Sequence, residues 1–212
     1  MAHAYYDSRW GTLEYFLLKV GSDLVQYKHK FMIFPYVLIL VLFLFILFIL
    51  TSFLTPLFSK VPFVPVLGRI VNEIIFILDL KDDSVIYDLG CGDGRVLFAA
   101  MKDFPNRSAL GIERAPFPYL CVKIRQFFSR TKNVSIVYGD FFKLDLSPST
   151  HVFIYLSPSA LDDLLPKFEK ELKKGTILVS CDFQFSKRKP DEVIKTKSKN
   201  WQSKHIIYKY YF

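Results

Sequence analysis

Cysteine and histidine are scarce in this chain, and their scarcity excludes two kinds of site. Only three cysteines and four histidines occur in 212 residues, and no two cysteines are spaced as CxxC. A disulfide framework or a zinc site needs such residues in clusters. We therefore predict no metal and a reducing compartment. The scattered residues are Cys91, Cys121, Cys181, His3, His29, His151 and His205.

Charge is absent from a long internal stretch. No residue between Lys30 and Lys60 is charged, and residues 36–50 read "YVLILVLFLFILFIL". Because a helix needs roughly 20 apolar residues to cross the hydrocarbon core, residues 31–59 are predicted to form a transmembrane anchor. A signal peptide fits less well, since no small-residue cleavage site follows. A soluble core helix is rarely apolar on every face.

The segments on either side of this stretch have different patterns. In residues 1–30, apolar side chains recur at helical spacing with charges between them, as in an amphipathic helix at a membrane interface. A helix packed on the rest of the protein fits the same pattern. In residues 60–82, Pro62 and Pro65 favour an extended connector, and an apolar helix follows them.

The remaining residues, 83–212, alternate between strand and helix patterns, which predicts an α/β fold with a Rossmann-like, doubly wound parallel sheet. No internal repeat is present. Strands are predicted at residues 84–90, 108–113, 133–140, 151–156, 176–183 and 205–212. Helices are predicted at 66–78, 95–103, 116–130 and 159–174, the last with a serine N-cap and with Gly175 beyond its end.

A glycine-rich turn follows the first of these strands. The strand ends in Asp88, and Gly90, Gly92 and Gly94 lead into the next helix. A dinucleotide-binding fingerprint would need a further glycine where this chain has Arg95. The turn therefore predicts a ligand other than a pyrophosphate.

Two acidic residues close the next strands at the edge where ligands bind in doubly wound sheets. Glu113 ends the second strand, where a carboxylate can accept both hydroxyl groups of a ribose. Asp140 ends the third strand, placed to meet an adenine amino group with Phe141 or Phe142 beside the ring. Together with the glycine turn, these positions predict a nucleoside site.

This set of residues resembles the class I S-adenosylmethionine-dependent methyltransferases over about residues 85–183. The resemblance implies S-adenosyl-L-methionine as the cofactor. It also implies that the glycine turn contacts the methionine part, that Glu113 binds the ribose and that Asp140 with Phe141 binds the adenine. The predicted cofactor-binding residues are Asp88, Gly90, Gly92, Asp93, Gly94, Glu113, Asp140 and Phe141.

A narrower resemblance, over about residues 50–185, is to the membrane-anchored protein-lysine N-methyltransferases. An apolar segment is followed by "VPFVP", "DLGCGDGR", "GIE", Pro158 and "CDFQF" in the order seen in that family. That family includes the enzymes that modify the adenine nucleotide translocase and the ATP synthase c-subunit. The resemblance implies direct in-line methyl transfer to a lysine of a membrane protein. Tyr155, Ser157 and Asp182 are the polar groups predicted to line the substrate channel.

Other functions stay open on the sequence alone. A lipid or small-molecule methyltransferase, acting on an amine or a quinone, fits the same cofactor residues, as does a non-catalytic cofactor-binding scaffold. Nucleic acid is not expected as a partner, because the Asn-Pro-Pro-aromatic motif of amide and nucleobase methyltransferases is absent. The net charge of +8 and the basic C-terminal segment favour contact with an anionic lipid bilayer, although a solvated basic face with no partner fits the same pattern. The catalytic domain should face the compartment that holds the cofactor, which is the cytoplasm or the mitochondrial matrix.

Overall fold

The fold was analysed in a computed structural model that describes residues 8–58, 66–129, 131–196 and 205–212. The predicted proline connector, with Pro62 and Pro65, lies outside these residues, as does His3. By internal contacts, the chain divides into two units, Met1–Phe48 and Ile49–Phe212.

A single helix accounts for the apolar N-terminal region. Helix α1 runs over Ser8–Phe58, so the predicted amphipathic segment and the predicted span form one continuous helix. Within it, Met32–Thr51 is long and apolar enough, by length and composition, to cross a membrane, with a mean hydropathy of 3.2. Nearly all side chains of this stretch are exposed, as expected for a helix whose surface contacts lipid.

The second unit contains a seven-stranded sheet with the order β3-β2-β1-β4-β5-β7-β6. Strands β1 to β5 are parallel, and β7 runs antiparallel between β5 and β6. The strand order reverses between β1 and β4, which is where ligands bind in this kind of sheet. The strands are β1 Val85–Leu89, β2 Ser108–Glu113, β3 Val134–Tyr138, β4 His151–Ile154, β5 Ile177–Cys181, β6 Glu192–Lys195 and β7 Ile206–Tyr211.

Helices cover both faces of the sheet, as the alternation of strand side chains requires. One core contains Ile86 and Val179 together with side chains of α2, α3 and α4. The other contains Tyr87 and Leu178 together with side chains of α5. The helices are α2 Gly68–Leu78, α3 Arg95–Asp103, α4 Pro116–Phe128 and α5 Pro158–Glu171. The predicted doubly wound architecture is confirmed.

Several element bounds differ by a few residues from the sequence predictions, and three differences concern β6 and α5. Strand β6 is absent from those predictions, because it has only two apolar residues and lies half-exposed at the sheet edge. Helix α5 ends at Glu171 rather than at residue 174, since Leu172 adopts an extended conformation with ψ 135°. Ser157 occupies its N-cap position but makes no capping hydrogen bond with its side chain.

Candidate cofactor and substrate site

The glycine turn after β1 has a backbone that other residues adopt only with strain. Gly90, Gly92 and Gly94 have φ values of 79°, 58° and 72°, in the left-handed region. The Gly90 N–H donates to the Ile112 carbonyl at 2.8 Å, which joins the turn to β2. A Cβ on Gly90 would lie 3.3 Å from a methyl group of Leu156, which follows β4. The turn therefore lies against the carboxyl end of β4, at the switch point.

Asp88 places a carboxyl group beneath this turn. The residue is 3% exposed, and no hydrogen-bond donor reaches its side chain within the part of the chain that the structure describes. Burial, followed by the nearby charges of Glu113 and Asp93, holds the pKa of Asp88 well above its ordinary value. A buried acceptor of this kind is suited to a cationic ligand group, such as the α-ammonium of the methionine part of the cofactor.

Glu113 clamps the turn through its carboxylate. One oxygen accepts the Gly92 N–H at 2.8 Å, and the other accepts the N–H groups of Arg114 and Ala115 at 2.9 and 2.7 Å. Burial raises the pKa of Glu113, and these three donors partly offset that effect. Because a carboxylate accepts about four hydrogen bonds, one acceptor position is left for a ribose hydroxyl. Accepting both hydroxyls would require one of the backbone bonds to be replaced.

The carboxylate of Asp93 belongs to an ion-pair network with Arg95 and Arg125. It accepts two hydrogen bonds from the Arg95 guanidinium, both at 2.9 Å, and one from the Arg95 backbone N–H at 3.3 Å. A fourth comes from the Arg125 guanidinium at 2.9 Å. Burial raises the pKa of Asp93, but the two arginines outweigh it and lower the pKa overall. Arg95 also donates to the Val66 carbonyl. Asp93 thus joins the turn to α4 and to the start of the domain, and a cofactor contact through it stays a prediction.

Asp140 begins a short turn after β3. Its Oδ1 accepts the Phe142 N–H at 3.0 Å, and its Oδ2 lies 3.5 Å from the Arg114 guanidinium. Phe141 and Phe142 follow with ring centroids 5.0 Å apart. An acceptor and two rings therefore stand together beside Glu113, because β2 and β3 are adjacent.

The predicted substrate residues lie at the ends of β4 and β5. The ring of Tyr155 stacks with that of Phe183, at 6.2 Å and 25°. Burial and a hydrogen bond to Asp182 raise the pKa of Tyr155. Ser157 lies half-buried at the start of α5, with its hydroxyl 3.3 Å from that of Ser159. The structure thus brings Tyr155 and Asp182 together, with Ser157 two residues farther along the chain.

Asp182 has an unusual backbone conformation for a residue with a side chain. Its φ is 62°, and such strain is often found at functional sites. The Asp182 N–H donates to the Ile206 carbonyl at 2.7 Å, and its Oδ1 accepts the Ile206 N–H at 3.1 Å. These bonds hold the carboxylate at the edge of the sheet, with about a quarter of the side chain exposed.

His205 is a candidate site residue that sequence reasoning missed. Its Nδ1 lies 2.6 Å from Asp182 Oδ2, and we assign the proton to Nδ1 because a carboxylate can only accept. The thiol of Cys181 belongs to the same cluster, whose potential ligand atoms lie within 4.8 Å of one another. Burial first, and then Asp182, raise the pKa of Cys181, which favours a neutral thiol rather than a metal-binding thiolate. No sequence motif links His205 to Asp182, because the two residues come together only when β7 pairs with β5.

Comparisons with known proteins show which family this chain resembles. The ANTKMT methyltransferase domain matches residues 88–192. A protein-lysine N-methyltransferase of Saccharolobus islandicus is 38% identical over 156 residues, which cover 71% of this chain and 92% of that protein. The ATP synthase c-subunit lysine N-methyltransferase of Mus musculus is 31% identical over 145 residues, which cover 66% of this chain and 57% of that protein.

Solved structures show the same fold. An RNA methyltransferase from Salinibacter ruber, in complex with S-adenosyl-L-homocysteine, has a TM-score of 0.63 and 29% identity, and the match covers 70% of this chain and 93% of that one. The Rossmann-like fold and the cofactor predicted from the sequence are therefore confirmed. The chain belongs to the ANTKMT-type family of protein-lysine N-methyltransferases, whose cofactor is S-adenosylmethionine.

Proposed function

We propose that this protein is a membrane-anchored methyltransferase that modifies a lysine of a membrane protein. The observation that carries the proposal is the grouping of Asp182 with the stacked rings of Tyr155 and Phe183. A carboxylate beside aromatic walls suits a lysine side chain, which has an apolar stem and a cationic end. The grouping follows β4 and β5, which are the next two strands after β1, at the same edge of the sheet as the glycine turn.

The cofactor would be held by residues that fit its parts. Asp88 offers a buried acceptor to the α-ammonium, Glu113 retains an acceptor position for the ribose, and Asp140 with Phe141 borders the adenine. When bound, S-adenosylmethionine supplies an electrophilic methyl group, which moves to the lysine nitrogen as its bond to sulfur breaks and the sulfonium becomes a thioether. The protein has to align the two reactants and exclude water.

The lysine must lose a proton before it can attack. Its ordinary pKa is about 10.4, so the protonated form dominates at neutral pH. In this proposal Asp182 positions the ammonium, and the aromatic walls reduce its hydration, which lowers its pKa. The Asp182 carboxylate, although its charge by itself favours the ammonium form, then accepts the proton and passes it to solvent through its exposed part. Tyr155 and Ser157 line the channel.

Membrane attachment is proposed from the helix and from the relatives. Met32–Thr51 has the length and composition of a membrane span. Relatives from mouse are named for the ATP synthase c-subunit and for the adenine nucleotide translocase. A substrate in the same bilayer would be concentrated near an anchored enzyme. We place the catalytic domain on the cytoplasmic side, or on the matrix side in a mitochondrion.

The test uses the full-length protein in nanodiscs, methyl-labelled S-adenosylmethionine, and membranes from cells that lack the protein. Label is separated into protein, lipid, RNA and small-molecule fractions, and the protein is hydrolysed to identify methyl-lysine. We expect methyl-lysine in a membrane protein with the wild type and little with Asp182→Asn. Label in the lipid or RNA fraction would overturn the lysine assignment. RNA is included because the Salinibacter ruber relative is named as an RNA methyltransferase.

A further inference from the structure

Helix α4 exposes a row of apolar side chains. Phe117, Leu120 and Ile124 are 44%, 46% and 50% exposed, and Phe127 and Phe128 are 81% and 78% exposed. At about 100° per residue, these five positions fall within roughly 100° of the helix circumference. The buried residues of α4, Pro118 and Val122, lie on the opposite side. The helix thus has two apolar faces, of which only one is packed on the sheet.

The charge around this row has one sign. No Asp or Glu occurs between Glu113 and Asp140, whereas Arg114, Lys123, Arg125, Arg130 and Lys132 all lie in that interval. Lys123 and Arg125 flank the row on its two sides. Lys123 donates to the uncharged Gln126, whereas Arg125 pairs with Asp93. Arg114 lies 3.5 Å from Asp140. An apolar row with basic flanks is complementary to a surface that is apolar inside and anionic at its boundary.

We propose that this face of α4, the residues Phe117, Leu120, Ile124, Phe127 and Phe128, docks on the interfacial region of an anionic lipid bilayer. The aromatic and aliphatic side chains would enter the acyl boundary, and Lys123 would meet the headgroups. An acidic protein surface could match the charges, but it would leave the exposed rings in water. A contiguous apolar patch of this kind is unusual on a soluble surface unless something covers it.

The contact rests in part on the proposed anchor. A helix of 13 residues with five apolar contacts would bind a bilayer weakly by itself. A span in the same chain would keep the domain near the surface and make a weak contact effective. The contact would then fix the orientation of the catalytic domain relative to the bilayer.

Tryptophan quenching by brominated lipid tests this contact in the full chain. A background with Trp10→Phe and Trp201→Phe receives either Phe127→Trp or Phe76→Trp. Phe76 is a matched control, because it is 85% exposed but lies on α2, beside the acidic Asp79. Both variants are placed in nanodiscs with roughly one-third anionic lipid and in neutral nanodiscs. Cofactor binding by both variants confirms that they are folded.

We expect brominated acyl chains to quench residue 127 at least about threefold more than residue 76, with less difference in neutral lipid, since charge adds to the binding. Lys123→Glu should reduce the quenching in anionic nanodiscs. Equal quenching at both positions would overturn the proposal. The proposal would also be overturned if the quenching of residue 127 depended on the number of protein copies per disc. That result would indicate that a second copy of the chain covers this face. Failure of the anchor is distinguishable, because the protein would then not elute with the nanodiscs.

Discussion

Replacing Asp88 by asparagine should separate the stability of the protein from its affinity for the cofactor. The side chain is buried, has no donor in the described part of the chain, and lies near Glu113 and Asp93. Asparagine at this position would have the same shape without the charge. We therefore expect Asp88→Asn to keep the fold and to lose the ion pair with the cofactor's ammonium.

The magnitude follows from the kind of interaction that is lost. A hydrogen bond between charged groups contributes about 1.5–3 kcal/mol. Its loss should therefore make the dissociation constant of the cofactor roughly ten- to hundredfold larger. The effect on stability has the opposite sign. Because the folded pKa of Asp88 is raised, the folded state binds more protons than the unfolded state, and this carboxyl destabilises the free protein as the pH rises. Without the charge, the melting temperature should stay the same or rise by a few degrees.

Calorimetric titration with S-adenosylhomocysteine and thermal unfolding of the free protein measure the two effects. Asp83→Asn serves as the control, since Asp83 is exposed before β1, at the other end of the strand from the glycine turn. The wild type should also bind the ligand more tightly as the pH rises, because the ammonium lowers the pKa of Asp88 and releases its proton. An unchanged dissociation constant, or a melting temperature lowered by about 5 °C or more, would refute this reasoning.

Three further predictions concern residues at the turn, at the end of β5 and within β2. Glu113→Ala should destabilise the protein by about 1–3 kcal/mol and weaken cofactor binding, because three N–H groups lose their acceptor. An unchanged midpoint of urea unfolding would contradict this. Asp182→Asn should lower kcat/KM for the lysine substrate about a hundredfold without changing cofactor affinity, because asparagine also tolerates a positive φ but carries no charge. An equal loss of kcat/KM and of cofactor affinity would place Asp182 in the cofactor site. Gly111→Ala should lower the free energy of unfolding by about 1–3 kcal/mol, because the added Cβ would lie within 3 Å of the Cys91, Leu97 and Ile136 side chains. The control Gly68→Ala, with open space around it, should have little effect on the midpoint of urea unfolding.

The sequence was most informative where a local pattern carries the signal. The glycine turn and the alternation of strands with helices each depend on residues close together in the chain, and both appear in the structure. Of the predicted acidic strand ends, Glu113 ends β2, whereas β1 ends one residue after Asp88 and β3 ends two residues before Asp140. Strand β2 has the predicted bounds, because its apolar run is fully enclosed by polar residues. Strand β6 has no such signal. Its two apolar residues become a strand only because β7 offers an edge to pair with.

The chemistry of each side chain was less visible than its position. In the sequence, Asp88, Asp93 and Glu113 are one kind of residue, yet the fold leaves Asp88 without a donor in the described part of the chain, gives Asp93 to two arginines and gives Glu113 three backbone N–H groups. Some of these partners are distant in the chain, namely Arg125 for Asp93 and Gly92 for Glu113. The others, Arg95, Arg114 and Ala115, are near neighbours whose orientation the fold sets. They decide which carboxylate is available to a ligand.

The sequence by itself predicted the class of fold, because periodicity is a local property of the chain. It predicted the family and the cofactor through the resemblance of its local motifs to those of known methyltransferases. Tertiary structure alone decided that His205 meets Asp182 and that the apolar row of α4 faces solvent. The first depends on β7 pairing antiparallel with β5, and the second on which face of α4 the sheet covers. Such contacts depend on strand order and packing, and a pattern of neighbouring residues does not contain that information.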